Sequence, residues 1–344
     1  MGVLPKISVI IPNYNHALYL EARISSVLNQ TEKNIEVLIL DDCSTDNSRD
    51  IINEYALKDS RIRTIYNSQN SGSTFKQWNK GFSLVSGKYI WIAESDDYAD
   101  IHFLEKLLIP LEEDNGIGLS YCDSWHVYEE QNKIERNFSL YTELDKNLWK
   151  SDFTIEGIDL VKKYMSYRNI IPNASAVLIR REVIERIPPA DETKKLVGDW
   201  IFWASILALY KISFVSEPMN YYRHHNKNVR SATLLSGVQF IEITQMLLVM
   251  KSYGMPDQYF FKKMILSFLD HWFYGMIQYN ISLSSHLTII KNIQHVENRN
   301  IGFVIVRFFK FLAKNKFSNL RQLIGDKGIY KIFPFLKNNK ITNN

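Results

Sequence analysis

The chain has 344 residues, of which 46% are hydrophobic and 23% charged, a composition that suits a folded protein with a large core and excludes a disordered one. Its two cysteines, Cys43 and Cys122, have no metal-binding spacing and indicate reduced thiols in a reducing compartment. The net charge is +4, yet residues 301–344 hold nine lysines and arginines against one aspartate. The rest of the chain is therefore acidic, and the basic end predicts contact with something anionic.

The N-terminus leads into a predicted strand within a few residues, and no run of ~18 uncharged apolar residues occurs in the chain. We therefore expect neither a secretion signal nor a transmembrane helix. The expected location is the cytoplasm, and the basic end leaves open a peripheral position on the inner face of the cell membrane.

The first half of the sequence alternates apolar strands with amphipathic helices, which predicts a doubly wound α/β fold with a parallel or mixed sheet flanked by helices. We expect Ser44 or Thr45 to cap the helix that runs through Ile52, and Gly87 to end the helix over 73–86. The predicted strands are 6–12, 35–40, 61–66, 89–93 and 116–127, and the other predicted helices are 17–29 and 101–113.

The second half is less regular and then becomes helical, which places a domain boundary near residue 230. We expect an α/β domain over 1–230 and a basic helical extension over 231–344. In the first of these, helices are predicted at 156–165, 181–186 and 198–209 and strands at 174–180 and 211–215; in the second, helices are predicted at 236–252, 257–280, 284–296 and 301–314.

Polar clusters follow three of the predicted strands: Pro12–Asn15, Asp41-Asp42, and Glu94–Asp97. Ligands of open α/β sheets bind at the carboxyl ends of the strands, so these clusters are the candidate site. Carboxylates close together repel one another unless a cation compensates, and Mg²⁺ or Mn²⁺ is bound by carboxylates together with substrate phosphates. The alternative is that the acids are solvated and cap helices.

The sequence resembles the family 2 glycosyltransferases, which have the GT-A fold. The resemblance covers about residues 5–228, and no glycine-rich nucleotide loop competes with it. It is carried by several motifs in the expected order, namely ISVIIPNYNHALYLEARISSVLNQT (Ile7–Thr31), IEVLILDDCSTDNS (Ile35–Ser48), NSGSTFKQWNKGFSLVSGKYIWIAESDD (Asn70–Asp97), GDWIFW (Gly198–Trp203) and YRHH (Tyr222–His225).

The resemblance implies a donor site for a nucleotide sugar at the strand ends. Pro12 and Tyr14 would lie against the nucleobase, and Asp42 would accept a hydrogen bond from its ring N–H. In the stretch that matches the DxD motif, one acid would bind the ribose and another the metal ion on the diphosphate. Asp96 and Asp97 are the favoured metal ligands, since Glu94 stands where many relatives have Asp.

The resemblance also implies a catalytic base, Asp199, which would remove the proton of the attacking acceptor hydroxyl. Many relatives have Glu before this Asp, whereas this chain has Gly198. The alternative role of Asp199 is to cap the helix over 200–209. His225, rather than His224, would help to hold the metal ion or the leaving phosphate, and Lys76 could reach a phosphate.

These features predict an inverting, metal-dependent glycosyltransferase that uses Mn²⁺ or Mg²⁺. The expected donor is a nucleoside-diphosphate sugar, by family frequency a UDP-sugar, and the expected acceptor is a hydroxyl of a glycan or lipid-linked glycan in surface polysaccharide synthesis. Two alternatives stay open, a non-catalytic nucleotide-sugar-binding protein and a sugar nucleotidyltransferase. The second usually has a glycine-rich basic loop where this chain has Pro12–Asn15.

The segment 301–314 is apolar with periodic cations and is too short to span a bilayer. This pattern fits a helix that lies in the membrane interface, with its cations on anionic lipid. The alternative is an ordinary helix that packs on the catalytic domain with its lysines extended into solvent. We expect no nucleic-acid partner, because no RNA-binding signature accompanies the basic residues.

Overall fold

The computed structural model describes residues 5–136, 139–225, 237–279, 281–297 and 301–314. The chain divides into two compact units. The first unit holds the described residues up to Lys194 together with Gly198–His225, and the second holds Lys195–Val197 and the described residues from Gly237 onward. The domain boundary predicted near residue 230 lies outside the described residues.

Strands and helices alternate through the first part of the first unit, because short apolar runs are followed by segments with helical spacing. The elements are β1 (Ile7–Asn13), α1 (Ala17–Leu28), β2 (Ile35–Asp41), α2 (Ser48–Lys58), β3 (Ile62–Tyr66), α3 (Thr74–Leu84), β4 (Tyr89–Ile92), β5 (Tyr98–Ala99), α4 (Phe103–Glu113) and β6 (Ile117–Tyr128).

The second part of the first unit has shorter elements, which fits its less regular sequence pattern. They are β7 (Lys133–Arg136), α5 (Ser139–Leu144), β8 (Phe153–Glu156), α6 (Gly157–Leu160) with a π-helical turn (Val161–Met165), β9 (Val177–Arg180), α7 (Arg181–Ile184), α8 (Gly198–Leu207) and β10 (Lys211–His224). Strand β10 extends well beyond the predicted range of 211–215, and it carries the Tyr222–His225 motif to the edge of the sheet.

In the described residues, ten strands form one sheet. Eight of them follow the order β3-β2-β1-β4-β9-β6-β10-β5, while β7 pairs with β6 and β8 pairs with β10. Strands β1 to β4 pair in parallel, as do β6 and β10, whereas β9 runs antiparallel between β4 and β6. The predicted α/β class is confirmed, and the sheet is mixed.

The central strands are the most deeply buried part of the first unit. Every residue of β1 and of β4 is buried, which explains why both strands read as continuous apolar runs. Helices α1 and α4 cover one face, with Leu20, Ile24 and Leu107 fully buried in the same cluster as the strand side chains. This layer fixes the strand ends from which the polar clusters emerge.

The predicted caps of two helices are wrong. Helix α2 begins at Ser48, so neither Ser44 nor Thr45 caps it; instead Asp46 Oδ1 accepts the backbone N–H of Ser48 at 3.0 Å. Helix α3 ends at Leu84, and Gly87 does not cap it. A Cβ at Gly87 would lie 2.7 Å from the backbone nitrogen of Ser8, so this glycine is needed for close approach to β1.

The second unit is helical in its described residues, with α9 (Val238–Ser252), α10 (Gln258–Gln278), α11 (Leu283–Glu297) and α12 (Ile301–Lys314). Asp257 caps α10 by accepting the backbone N–H groups of Tyr259 and Phe260 at 3.0 Å. Among the helices described, none combines the length and apolar character that crossing a bilayer requires.

Candidate active site

The polar clusters come together because β1, β2 and β4 run parallel and end at the same edge of the sheet. Asn13 at the end of β1 is paired with Asp41 at the end of β2, and the backbone N–H of Asp42 donates to the carbonyl of Asn13 at 2.8 Å. The Glu94–Asp97 turn follows β4, which lies on the other side of β1. The topology thus brings the three polar clusters to the same edge of the sheet.

Three side chains from three different segments form a potential metal site: His16, Asp96 and His225. One ligand atom from each lies within 4.8 Å of the other two. His225 Nε2 lies 3.0 Å from Asp96 Oδ2, and His16 Nδ1 lies 2.8 Å from the hydroxyl of Ser95. Two imidazoles and one carboxylate are a suitable partial ligand set for a divalent transition metal, and all three side chains are half-buried.

Hydrogen bonding, charge and burial shift the pKa of all three side chains in this cluster. Burial alone would raise the pKa of Asp96, but the hydrogen bond from His225 and the charge of His16 hold it below its ordinary value. The hydrogen bond to Asp96 in turn raises the pKa of His225. Burial lowers the pKa of His16 and so favours the neutral imidazole that a metal ion needs.

Asp97 is buried behind the cluster and accepts several hydrogen bonds. Its Oδ2 accepts from Asn173 Nδ2 at 2.9 Å and from the Ser175 hydroxyl at 2.7 Å, while its Oδ1 accepts the backbone N–H of Arg223 at 3.0 Å. Burial and the neighbouring charge of Asp96 raise the pKa of Asp97 to about 6. Asp97 therefore fixes the Glu94–Asp97 turn to β10, and Asp96 is the better placed of the two predicted metal ligands.

Arg23 on α1 is a fully buried cation beside these acids. Its Nε donates to the carbonyl of Glu94 at 2.8 Å, and its Nη2 lies 4.0 Å from Asp97 Oδ2. Within the described residues, Nη1 and Nη2 have no hydrogen-bond partner. Burial lowers the pKa of Arg23 to about 10, and its positive charge offsets part of the negative charge of the turn.

Glu94, the first acid of the turn, is bound to the core. Its Oε1 accepts the indole N–H of Trp78 at 2.7 Å. Burial and the charge of Asp96 raise the pKa of Glu94 to about 8. Trp78 is itself buried against Phe75 and Trp203, so it packs in the core and also orients an acid of the site.

Asp42 is buried and holds the loop before α3. Its carboxylate accepts hydrogen bonds from the side chains of Asn67, Ser71 and Gln77 at 2.6–3.0 Å and from the backbone N–H of Ser71. Gln77 Oε1, next to it, is buried without a hydrogen-bond donor among the described residues. Any ring N–H that reached Asp42 would share an acceptor already bound by several donors.

The remaining predicted donor-site residues lie around this strand edge. Pro12 is buried in β1, and Tyr14 is exposed in the loop that follows it. Lys76 lies on the exposed side of α3, and its ammonium group donates to the carbonyl of Ser71 at 3.3 Å. Tyr14 and Lys76 thus have side chains that a ligand could contact. The side chain of Pro12 is buried, so only the backbone near it could contact a nucleobase.

Asp199 lies in the first turn of α8, where its Oδ2 accepts a hydrogen bond from Asn169 Nδ2 at 3.1 Å. The preceding Gly198 is packed against Phe75 of α3: a Cβ there would lie 2.4 Å from the phenyl ring. This contact explains why the chain has glycine where the resemblance led us to expect a glutamate.

Helix α3 contacts the segments that carry the predicted acids. It meets Asp42 through Gln77, Glu94 through Trp78, and Gly198, the residue before Asp199, through Phe75. His224, by contrast, points away from the cluster and lies 2.7 Å from His126.

Sequence reasoning missed two residues of this site. His16 directly follows the Pro12–Asn15 loop, and that position was the available signal. The burial of Arg23 could not be predicted, because its position in α1 carries no pattern that distinguishes it from a solvent-exposed arginine. Nothing in the sequence shows that a buried guanidinium would lie behind the Glu94–Asp97 turn.

Comparison with known proteins agrees with this architecture. Residues 8–167 match the family "Glycosyl transferase family 2". An uncharacterised glycosyltransferase of Nostoc sp. is 32% identical over 231 residues, which is 65% of this chain and 66% of the relative. The putative teichuronic acid biosynthesis glycosyltransferase TuaG of Bacillus subtilis is 41% identical over 104 residues, 30% of this chain and 41% of TuaG.

Among solved structures, residues 1–349 of S. aureus TarS in complex with UDP-GlcNAc match with a TM-score of 0.63. The match covers 94% of this chain and 91% of that one, at 18% sequence identity, and therefore concerns the fold. The family match, the relatives and the shared GT-A fold together show that this chain belongs to glycosyltransferase family 2.

Proposed function

We propose that the chain transfers a sugar from a nucleoside-diphosphate donor, a UDP-sugar, to a hydroxyl of a glycan or lipid-linked glycan, with inversion at the anomeric carbon. The observation that carries this proposal is the grouping of His16, Asp96 and His225 at the strand edge where Asp42 and the Glu94–Asp97 turn also lie. The name of one relative supports a role in polysaccharide synthesis, because TuaG is described as a putative teichuronic acid biosynthesis glycosyltransferase.

The site suits Mn²⁺ better than Mg²⁺. Mg²⁺ prefers oxygen ligands, whereas this cluster offers two imidazole nitrogens and one carboxylate oxygen. A bound Mn²⁺ would neutralise negative charge that develops on the leaving diphosphate. Burial and the charge of Asp96 raise the pKa of both Glu94 and Asp97, and a cation beside Asp96 would offset that charge.

The proposed reaction is a single displacement. The acceptor oxygen attacks the anomeric carbon as the bond to the diphosphate oxygen breaks, and the nucleoside diphosphate departs with that bonding pair. Asp199 would take the proton of the attacking hydroxyl, and its hydrogen bond from Asn169 would orient the carboxylate. Asp96 with the two histidines would hold the diphosphate end through the ion, and the exposed ring of Tyr14 would stack on the base.

Donor turnover in the presence of Mn²⁺ tests this proposal. Purified protein incubated with a panel of UDP-, dTDP- and GDP-sugars should release nucleoside diphosphate most strongly from a UDP-sugar, and EDTA should abolish the release. Asp96→Ala should reduce it by roughly two to three orders of magnitude, the range of a lost charge-stabilising contact. Unchanged turnover in Asp96→Ala, or no turnover of any donor with glycan acceptors present, would overturn the proposal.

Stereochemistry and the base need a second measurement. With a productive acceptor, NMR of the product should show the anomeric configuration opposite to that of the donor. Asp199→Asn keeps the size of the side chain and should lose transfer while retaining UDP binding. Glu182→Gln, an exposed acid of the same unit on α7, is the matched control and should keep full activity.

A further inference from the structure

The second unit exposes a continuous apolar face that the proposed reaction does not use. Leucines 283 and 287 lie one turn apart on α11 and Ile290 follows them, while Ile301, Ile305 and Phe309 lie at the same helical spacing on α12. The exposed fractions are 59% for Leu287, 47% for Ile305 and 64% for Phe309. We call these six residues the apolar face.

The two helices join at a groove of about 160 Å³, lined by Ile290 from α11 and by Ile301 and Ile305 from α12, over the indole of Trp272. The adjoining side of α12 packs inward, with Val304 and Phe311 buried, and Leu312 is also buried one turn beyond Phe309. Arg307 is paired with Asp270 at 2.7 Å and holds α12 on α10. The apolar face is therefore fixed by packing beneath it and is presented outward.

The positive charge of residues 281–344 indicates which kind of partner the apolar face fits. Residues 281–344 contain eleven lysines and arginines but only two acids, Glu297 and Asp326. Lys310 lies exposed one residue beyond Phe309, and Lys291 lies exposed one residue beyond Ile290. Exposed aliphatic and phenyl side chains flanked by cations match an anionic bilayer, in which apolar groups enter the acyl boundary and ammonium groups meet phosphates.

We propose that the apolar face of α11 and α12 docks on an anionic membrane surface, with Ile305 and Phe309 inserted and Lys310 at the headgroups. The apolar face belongs to the second unit and shares no residue with the donor site, so this proposal does not depend on the proposed reaction.

Vesicle flotation of the full chain tests the proposal. Wild-type protein should float with vesicles of phosphatidylglycerol and phosphatidylcholine, and much less with phosphatidylcholine alone. The double variant Ile305→Asp, Phe309→Asp should reduce partitioning by about tenfold or more, since it removes two inserted side chains and adds two anions. Lys310→Glu should weaken binding mainly at low salt.

The matched control is Leu57→Asp, which changes an equally apolar residue, 89% exposed, on α2 of the first unit. It should leave flotation unchanged, and all variants should keep wild-type turnover of a soluble donor. Absence of wild-type flotation, or equal flotation of the double variant, would overturn the proposal. Sedimentation velocity without vesicles gives a further test. A dimer of the wild type that the double variant does not form would also overturn the proposal, because the face would then be an interface between copies.

Discussion

Trp78 Nε1 and Glu94 Oε1 lie 2.7 Å apart and join α3 to the acidic turn after β4. The indole is buried between Phe75 and Trp203, so its N–H has a fixed direction. One residue thus contributes both packing volume and a hydrogen bond, and these two contributions can be separated by mutation.

Trp78→Phe keeps a ring in the core but removes the donor to Glu94. Leaving a buried acceptor unpaired costs roughly 1–3 kcal/mol. We expect lower stability and, because the carboxyl group of Glu94 is no longer oriented, a kcat/KM for donor turnover reduced by about tenfold. Chemical denaturation and steady-state kinetics measure the two effects.

The control for this variant is Trp149→Phe. Trp149 is equally buried and donates to the Tyr121 hydroxyl at 2.7 Å, away from the acidic turn. It should lose comparable stability with little change in kcat/KM. Equal losses of activity in both variants would show that Trp78 acts only through the fold.

Gly198→Ala places a methyl group against the ring of Phe75 at 2.4 Å, so either the ring or the start of α8 must move. Overpacking of this kind costs roughly 1–3 kcal/mol. Since Asp199 is the next residue, activity should fall further than stability alone accounts for. Turnover measured at temperatures where the variant is fully folded separates the two.

A second substitution tests whether this contact is the cause. Phe75→Leu makes room for the added methyl group, so Gly198→Ala with Phe75→Leu should recover activity relative to Gly198→Ala alone. Gly116→Ala meets nothing closer than a side-chain oxygen of Asp114 at 3.0 Å, and should be nearly neutral. No recovery in the double variant would mean that Gly198 is needed for its backbone instead.

Asp42→Asn places an amide nitrogen among groups that already donate, namely the side chains of Asn67, Ser71 and Gln77. We expect a stability loss of roughly 1–3 kcal/mol and weaker binding of UDP. Isothermal titration calorimetry gives the affinity. Gln77→Ala removes one donor without changing the carboxylate, so it should affect UDP binding less if Asp42 itself meets the base.

The order of the strands and helices could be predicted from the sequence because buried strands and amphipathic helices have distinct periods. The antiparallel insertion of β9 could not, since its pairing with β4 and β6 depends on contacts distant in the chain. Similarly, Asp96 and His225 were predicted as metal ligands from motifs, whereas His16 joins them only because α1 starts at the end of β1. The pairing of β9 and the position of His16 both depend on contacts between residues distant in the chain, which local sequence patterns do not show.

His16→Ala should weaken Mn²⁺ binding in the presence of UDP by at least about tenfold, the scale seen when groups around a metal are removed. Electron paramagnetic resonance of bound Mn²⁺ measures the affinity, and nitrogen hyperfine coupling counts coordinated imidazoles. The count should fall by one. His102→Ala, which removes an exposed imidazole paired with Glu105, should change neither quantity. An unchanged nitrogen count in His16→Ala would exclude His16 as a ligand.

The pair formed by His126 and His224 makes the stability of the first unit dependent on pH. Their ring nitrogens lie 2.7 Å apart, so at least one ring must be neutral to accept the hydrogen bond. Burial lowers the pKa of both side chains below the ordinary histidine value of 6.5. The unfolded chain therefore binds more protons than the folded one as the pH falls below that value, and stability decreases with acidification.

His126→Phe preserves a ring beside Tyr222 and removes one titrating group. Denaturant unfolding between pH 8 and pH 5 should show a shallower loss of stability in this variant than in the wild type, and identical slopes would contradict the assignment.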